Sequence, residues 1–226
     1  MIANQHTTLA ELAIQHPAAS RVFNSHEFDF CCHGNRSLEE ACTERGMAPE
    51  SVLAEIEQES RDCSDAPRWE QRPLTELISY IVNYYHWRLR EELPLLVELA
   101  TRVENVHKDK AVCPRGLADH LRSIHYAVLD HLTKEETILF PIIEAGRGAR
   151  AAGPIHVMEI EHDDHSENLR KTRQLTSNLT LPPEACPTWA ALYLRLREFE
   201  EELMEHIHLE NNILFRRALC EEGGRK

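Results

Sequence analysis

The chain has 226 residues, 42% hydrophobic and 28% charged, which is enough for one sizeable core and a small second module. A formal net charge of −13 argues against a nucleic-acid partner or an anionic membrane surface, and no apolar run is long enough to span a membrane. We find no signal peptide and therefore expect a cytoplasmic protein. The seven cysteines are odd in number and lack a framework spacing, so we expect thiols rather than structural disulfides.

The N-terminal part of the chain, residues 1–62, is predicted to be a small helical domain. Thr8 and Glu11 have the spacing of a capping box for a helix at 9–15, and further helices are predicted at 17–25, 37–45 and 49–61. Gly46 is predicted to end the third of these helices. Residues 63–73 contain two prolines and charges of both signs, which predicts a linker.

Residues 74–220 are predicted to form four long helices. Their apolar residues recur with helical spacing, and the predicted ranges are 73–106, 115–145, 154–177 and 188–219. Because the connections are fairly short, successive helices should run in opposite directions. The chain is therefore predicted to be all-α, an antiparallel four-helix bundle preceded by a small helical domain.

Two copies of a His-x3-Glu pattern lie in the second and fourth of these helices, His131 with Glu135 and His206 with Glu210. Residues four apart share one helix face, and the apolar series around each pair places that face toward the bundle interior. The series in the second helix is Leu117, Leu121, Ile124, Val128, Ile138 and Ile142. A buried carboxylate costs several kcal/mol unless it is neutralised, so the pattern predicts a cation between the helices. The alternative to a cation is that each glutamate lies at a solvent-exposed helix end or is neutralised by an arginine.

A histidine in each of the other two long helices extends the pattern. His86 precedes His131 by 45 residues and His162 precedes His206 by 44, which indicates an internal duplication. His165, one turn from His162 on the same face, is the alternative ligand in the third helix. Six donors are too many for one tetrahedral zinc ion. They suit two iron ions bridged by Glu135 and Glu210 and by an oxo or hydroxo group, with manganese as the competing metal.

Adjacent thiols, Cys31 and Cys32, lie between the second and third short helices in the segment DFCCHG. Two buried and inert cysteines are one interpretation. The other is a pair of reactive thiols, with a pKa lowered by the start of the following helix.

Several longer segments resemble a known family. They are DFCCHG, NYYHWRLREELP, HLTKEETILFP, GPIHVMEIEHD, PPEACPTW and HIHLENNILF. In these segments the chain resembles the Repair of Iron Centres family (YtfE/ScdA type), in which a small helical domain precedes a hemerythrin-like di-iron bundle. His33 departs from the family, where we expect glycine.

The resemblance implies a function and a set of site residues. It implies a di-iron protein that repairs iron–sulfur clusters damaged by nitrosative or oxidative stress, by supplying iron to the damaged proteins. The implied metal ligands are the same six residues: His86, His131, Glu135, His162, His206 and Glu210. It also implies that Cys31 and Cys32 are redox or iron-transfer thiols.

Other functions remain open at this point. The di-iron site could bind or scavenge nitric oxide or dioxygen, or reduce nitric oxide, so the sequence leaves open whether the protein is an enzyme. A homodimer is also left open.

Overall fold

The computed structural model describes residues 3–62 and 67–220, and the regular secondary structure in these ranges is helical. The first residues of the predicted linker, 63–66, lie outside the described ranges. No helix in the described ranges is both long and apolar enough to cross a bilayer. The all-α class predicted from the sequence is confirmed.

Four short helices make up the N-terminal region. They are α1 (Leu9–Gln15), α2 (Ala19–Ser25), α3 (Leu38–Arg45) and α4 (Pro49–Asp62). The predicted capping box is present: the Thr8 hydroxyl accepts from the Glu11 amide at 3.2 Å, and the Thr8 amide donates to the Glu11 carboxylate at 3.2 Å. Gly46 ends α3 in the left-handed conformation, with φ of 64°.

The four predicted long helices are present, and we name them A to D. Helix A (74–107) consists of α5 (Leu74–Tyr80), a π-helical segment (Ile81–His86) and α6 (Trp87–His107). Helix B (117–144) consists of α7 (Leu117–Lys134), a π-helical segment (Glu135–Leu139) and α8 (Phe140–Glu144).

Helix C is α9 (Gly148–Leu175). It begins six residues before the predicted start at Pro154, because the proline is accommodated inside the helix rather than at its first turn. Helix D (187–220) consists of α10 (Pro187–His208), a π-helical segment (Leu209–Leu214) and α11 (Phe215–Cys220).

The described chain divides into two compact units, and Ile78–Leu203 is the larger. It holds the antiparallel bundle, with α6 packed on α7 and α7 packed on α9. Arg195 donates two hydrogen bonds of 2.8 Å to Glu92 and so joins helices D and A, while Arg173 joins helix C to Glu200 of helix D at 2.7 Å. These pairs are partly exposed and add little stability, so the bundle is stabilised mainly by its buried leucines and Trp189.

The second unit combines Met1–Leu77 with Met204–Lys226. Its core contains Phe23, Phe28 and Phe30, and Met204 packs against this core. Helix α1 also packs on the π-helical segment Leu209–Leu214. The C-terminal part of helix D is therefore a structural element of the same unit as the four short helices.

The π-helical segment of helix B changes which residues face the core. Ile138, predicted to be buried, is 51% exposed, whereas Leu139 and Ile143 are 1% and 5% exposed. A π turn closes with i→i+5 bonds and holds more residues than an α turn, so the buried face moves one residue toward the C-terminus. The predictions for Ile138 and Ile142 are therefore wrong in register, although the face is buried as expected.

Candidate metal centre

Four of the predicted ligands lie within the bundle unit, on helices A, B and C. His86 ends the π-helical segment of helix A, and Glu135 begins that of helix B. The Nε2 atoms of His86 and His131 each lie 3.4 Å from the Glu135 carboxylate, and His162 Nε2 lies 3.1 Å from His131 Nε2. All four side chains are at most 2% exposed. Helices A, B and C thus bring three imidazoles around one buried carboxylate.

Two further carboxylates bind the outward ring nitrogens of these histidines. Glu136 Oε1 lies 2.7 Å from His86 Nδ1, and Glu161 Oε2 lies 2.9 Å from His131 Nδ1. A carboxylate accepts a hydrogen bond, so each Nδ1 carries the proton and each Nε2 keeps its lone pair for a ligand. This arrangement is typical of metal-binding histidines.

A cation contacts each of the two outer carboxylates, Arg90 at Glu136 and Lys134 at Glu161. Burial alone would raise the pKa of Glu136, but hydrogen bonds from Arg90 and His86 outweigh it and hold the pKa below its usual value. Lys134 contacts Glu161, and its own pKa is raised by its bonds to Asp130 and Glu161. Glu136 is therefore held as an acceptor for His86 Nδ1.

The other His-x3-Glu copy lies in the second unit. His206 Nε2 is 2.9 Å from Glu210 Oε1, and the two side chains are 1% and 0% exposed. As in helix B, the histidine lies in the last turn of a stretch of α-helix and the glutamate lies at the start of a π-helical segment. The repeated local structure agrees with the duplication that the spacing indicates.

The donor set fits iron. His131, Glu135 and His162 each offer a ligand atom, and these atoms lie within 4.8 Å of one another. Two nitrogens bound to one ion at about 2.1 Å lie roughly 3 Å apart, close to the 3.1 Å between His131 and His162. Imidazole with carboxylate is a set that suits iron, and a cation offsets the cost of burying Glu135.

His165, the alternative ligand in helix C, is also buried but packs differently. Its ring meets that of His131 edge-on at a centroid distance of 5.0 Å. Sequence reasoning missed Glu136 and Glu161. The signal for them is weak, because each directly adjoins a predicted ligand in the chain and looks like an ordinary solvated glutamate.

The two thiols lie in a tight loop of the second unit. Cys31 is buried, Cys32 is half-buried, and their sulfurs are 3.7 Å apart. Cys32 and burial raise the pKa of the Cys31 thiol well above its usual value, and Asp29 adds to the rise. The expectation of a lowered pKa is therefore wrong for Cys31, because α3 begins only at Leu38 and its N-terminus is not adjacent.

The thiol loop is also bound to helix D near Glu210. The Asn211 amide donates to the Cys31 carbonyl at 3.1 Å, and Asn212 donates to the Phe30 and Cys31 carbonyls at 3.1 and 3.3 Å. The Phe30 ring packs on His208 at 5.4 Å. Residues on both sides of Glu210 thus contact this region: Asn211 and Asn212 bind the backbone of the thiol loop, and His208 packs on Phe30, which precedes the two cysteines.

Comparison with known proteins gives two family matches. Residues 77–218 match the hemerythrin HHE cation binding domain, and residues 5–60 match a domain of unknown function, DUF542. The iron–sulfur cluster repair protein YtfE of Yersinia pseudotuberculosis serotype O:1b is 48% identical over 212 residues, which cover 94% of this chain and 96% of the relative. The protein of the same name from Yersinia pestis strain Pestoides F is 47% identical over the same shares.

Proposed function

We propose, because the chain belongs to the family of iron–sulfur cluster repair proteins that carry a hemerythrin HHE cation binding domain, that it repairs damaged iron–sulfur clusters by supplying iron. The observation that carries the proposal is the convergence of imidazole Nε2 atoms on the buried Glu135. The damage would come from nitrosative or oxidative stress, and the clients would be iron–sulfur proteins.

The proposed centre holds two iron ions on six residues: His86, His131, Glu135, His162, His206 and Glu210. Glu135 and Glu210 would bridge the ions, together with an oxo or hydroxo group. The repeated step from α-helix to π-helix at both His-x3-Glu copies supports equal roles for the two glutamates. The hemerythrin match, residues 77–218, includes all six residues.

Bound iron would supply an exchangeable ion and an open coordination position. The protein's own residues set the conditions for that exchange. Glu136 and Glu161 fix the tautomer and the ring orientation of His86 and His131. Because Glu135 is buried, water does not solvate its carboxylate, and a bound cation would offset its charge instead.

The remaining parts of the proposal concern the thiols and the surroundings of the protein. Cys31 and Cys32 would act as redox or iron-transfer thiols between the centre and a client. Residues 1–62 would form one functional domain and residues 74–220 the other, and residues 63–73 would link them. We place the activity in the cytoplasm, and nitric oxide or dioxygen would be the small ligand of the open position.

Replacement of the proposed bridging residues tests the proposal. We expect Glu135→Gln and Glu210→Gln each to lose most of the iron and to fail in reactivating a nitric-oxide-damaged iron–sulfur enzyme. Asp163→Asn, at an exposed position of helix C, is the matched control and should keep both properties. Iron per chain and recovered client activity are the measurements.

Two outcomes would contradict the proposal. Retention of two irons by Glu135→Gln would show that this carboxylate is not a ligand. Loss of iron without loss of reactivation would show that repair does not depend on the proposed iron centre. Titration of the iron-loaded protein with nitric oxide then tests whether the open position binds the gas.

A further inference from the structure

The loop that carries the two thiols collects three metal-ligand atoms at one point. They belong to Asp29, Cys31 and Cys32, and all lie within 4.8 Å of one another. We propose that this loop is a second metal site, which binds a single divalent ion of intermediate softness such as ferrous iron or zinc. The proposal goes beyond cluster repair, since binding here requires neither repair activity nor the His–Glu centre.

The distances match those of a tetrahedral ion with two sulfur ligands. Two thiolates about 2.3 Å from one ion lie about 3.8 Å apart at the tetrahedral angle, and a thiolate and a carboxylate oxygen lie about 3.6 Å apart. The loop has 3.7 Å between the two sulfurs and 3.6 Å between Cys31 Sγ and Asp29 Oδ1. Ion binding would therefore require little rearrangement of these three side chains.

Backbone contacts hold the loop in this shape. Asp29 Oδ1 accepts hydrogen bonds from the amides of Cys32 and His33 at 3.1 and 3.3 Å, which fixes one carboxylate oxygen beside the thiols. Gly34 lets the chain close on itself, because a Cβ there would lie only 2.3 Å from the Phe30 carbonyl oxygen. The amides of Asn211 and Asn212 fix the far side of the loop through the Cys31 carbonyl.

The loop is partly exposed to solvent at Cys32 and His33, which leaves room for a fourth ligand from outside. Cys32 is half-buried, and the His33 side chain is 60% exposed, with Nδ1 2.7 Å from Asp29 Oδ2. A site with three protein ligands and one outward position can exchange its ion, unlike a closed structural site. The contact of His33 with the carboxylate can orient Asp29 for an ion.

A bound ion would neutralise the three acidic groups together. Cys31 and Cys32 would each release a proton to solvent on binding, and the ion would offset the repulsion among two thiolates and the Asp29 carboxylate. Thiolates prefer softer ions than the imidazole and carboxylate ligands of the bundle do, so the two sites differ in chemistry.

Cobalt(II) is the probe that tests the site in the full-length, reduced protein loaded with two irons per chain, the number that the proposed His–Glu centre holds. Cobalt bound to thiolate absorbs strongly in the near ultraviolet, whereas cobalt bound to imidazole and carboxylate does not. We expect this band to saturate at one equivalent of cobalt and to disappear in Cys31→Ser/Cys32→Ser. Asp29→Asn, which keeps a side-chain oxygen acceptor, should weaken binding by about tenfold or more.

Controls separate this site from other thiols and from misfolding. Cys220→Ser, at an exposed thiol outside the loop, should leave the band unchanged. Cys32→Ser alone removes only the half-buried thiol, and cobalt should then no longer raise the melting temperature as it does in the unchanged protein. Zinc should protect Cys32 from alkylation.

Three results would overturn the proposal. They are a band that survives in the double variant, no band in the unchanged protein at saturating cobalt, and alkylation of Cys32 that saturating zinc does not slow in the reduced protein. Reactivation of a damaged client is measured separately. The two measurements therefore distinguish a protein that binds metal in the loop but does not repair from one that repairs without binding metal there.

Discussion

At the scale of single residues, the outer carboxylates Glu136 and Glu161 decide whether the histidines can act as ligands. Each accepts from an Nδ1 atom and so leaves the Nε2 of His86 or His131 unprotonated toward Glu135. Without this acceptor the imidazole could turn or change tautomer. The availability of the donor atoms therefore depends on residues outside the proposed ligand set.

Replacement of these acceptors should weaken iron binding while preserving the fold. We expect Glu136→Gln and Glu161→Gln each to lower iron affinity by about 10- to 100-fold, because an amide is a poorer acceptor than a carboxylate and can also present its NH2 group. Competition with a chelator of known affinity measures the change. Unchanged affinity in both variants would show that the histidines are oriented by packing alone.

A neighbouring variant controls for the loss of one negative charge. Asp164→Asn lies on helix C close in sequence to Glu161, is exposed, and should leave iron affinity within about twofold of the unchanged protein. A comparable loss in this variant would assign the effect to long-range charge rather than to the hydrogen bond.

At this scale the sequence predicted some of the site residues and not others. Spacing alone predicted His86, His131 and His162. An internal repeat and a continuous apolar face can both be recognised in the sequence without knowing how the helices pack. Glu136 and Glu161 could not be found in the same way, since each acts on a histidine of a different helix. Their partners depend on how the helices pack.

At the scale of helices, π-helical segments accompany the predicted ligands in three places. They end at His86, begin at Glu135, and begin one residue before Glu210, whereas helix C has regular α-helix at His162. Such segments cost stability relative to α-helix and occur mostly at functional sites. The sequence predicted the helices and most of their buried faces but not these wide turns, because a single extra residue leaves the apolar spacing almost unchanged.

Deletion of one residue tests the role of the wide turn in helix B. Removal of Thr137, which is exposed, should let the segment close as ordinary α-helix while Leu139 and Ile143 stay on the buried face. We therefore expect a fold that melts only a few degrees lower but holds less iron. Circular dichroism melting and iron per chain are the measurements.

Deletion of Ser123, another exposed residue of helix B, is the control. No π turn is present there to absorb the loss, so Ile124, Val128 and His131 would rotate away from the core by about 100°. This variant should lose several kcal/mol of stability or fail to fold. Equal damage from the two deletions would contradict the interpretation of the π-helical segment as an inserted residue.

At the scale of the whole molecule, the part of this strongly acidic chain that the structure describes has two glutamates with no exposed surface, Glu135 and Glu210. Such carboxylates are costly to bury unless a cation or a proton accompanies them. They lie in different compact units, one in Ile78–Leu203 and one in Met204–Lys226. Under the proposed function, iron binding and folding stability are thus linked for both units.

Iron removal should therefore destabilise the protein as a whole. A ligand present at 100 times its dissociation constant stabilises the folded state by about 2.7 kcal/mol. For a chain of this size that corresponds to a melting temperature roughly 5–10 °C higher with iron than after chelation. Differential scanning calorimetry of both forms measures the shift, and Glu135→Gln, which should bind little iron, serves as the control whose melting changes little on chelation. Identical melting of the unchanged protein with and without iron would mean that protons or internal hydrogen bonds, rather than metal ions, balance the buried carboxylates.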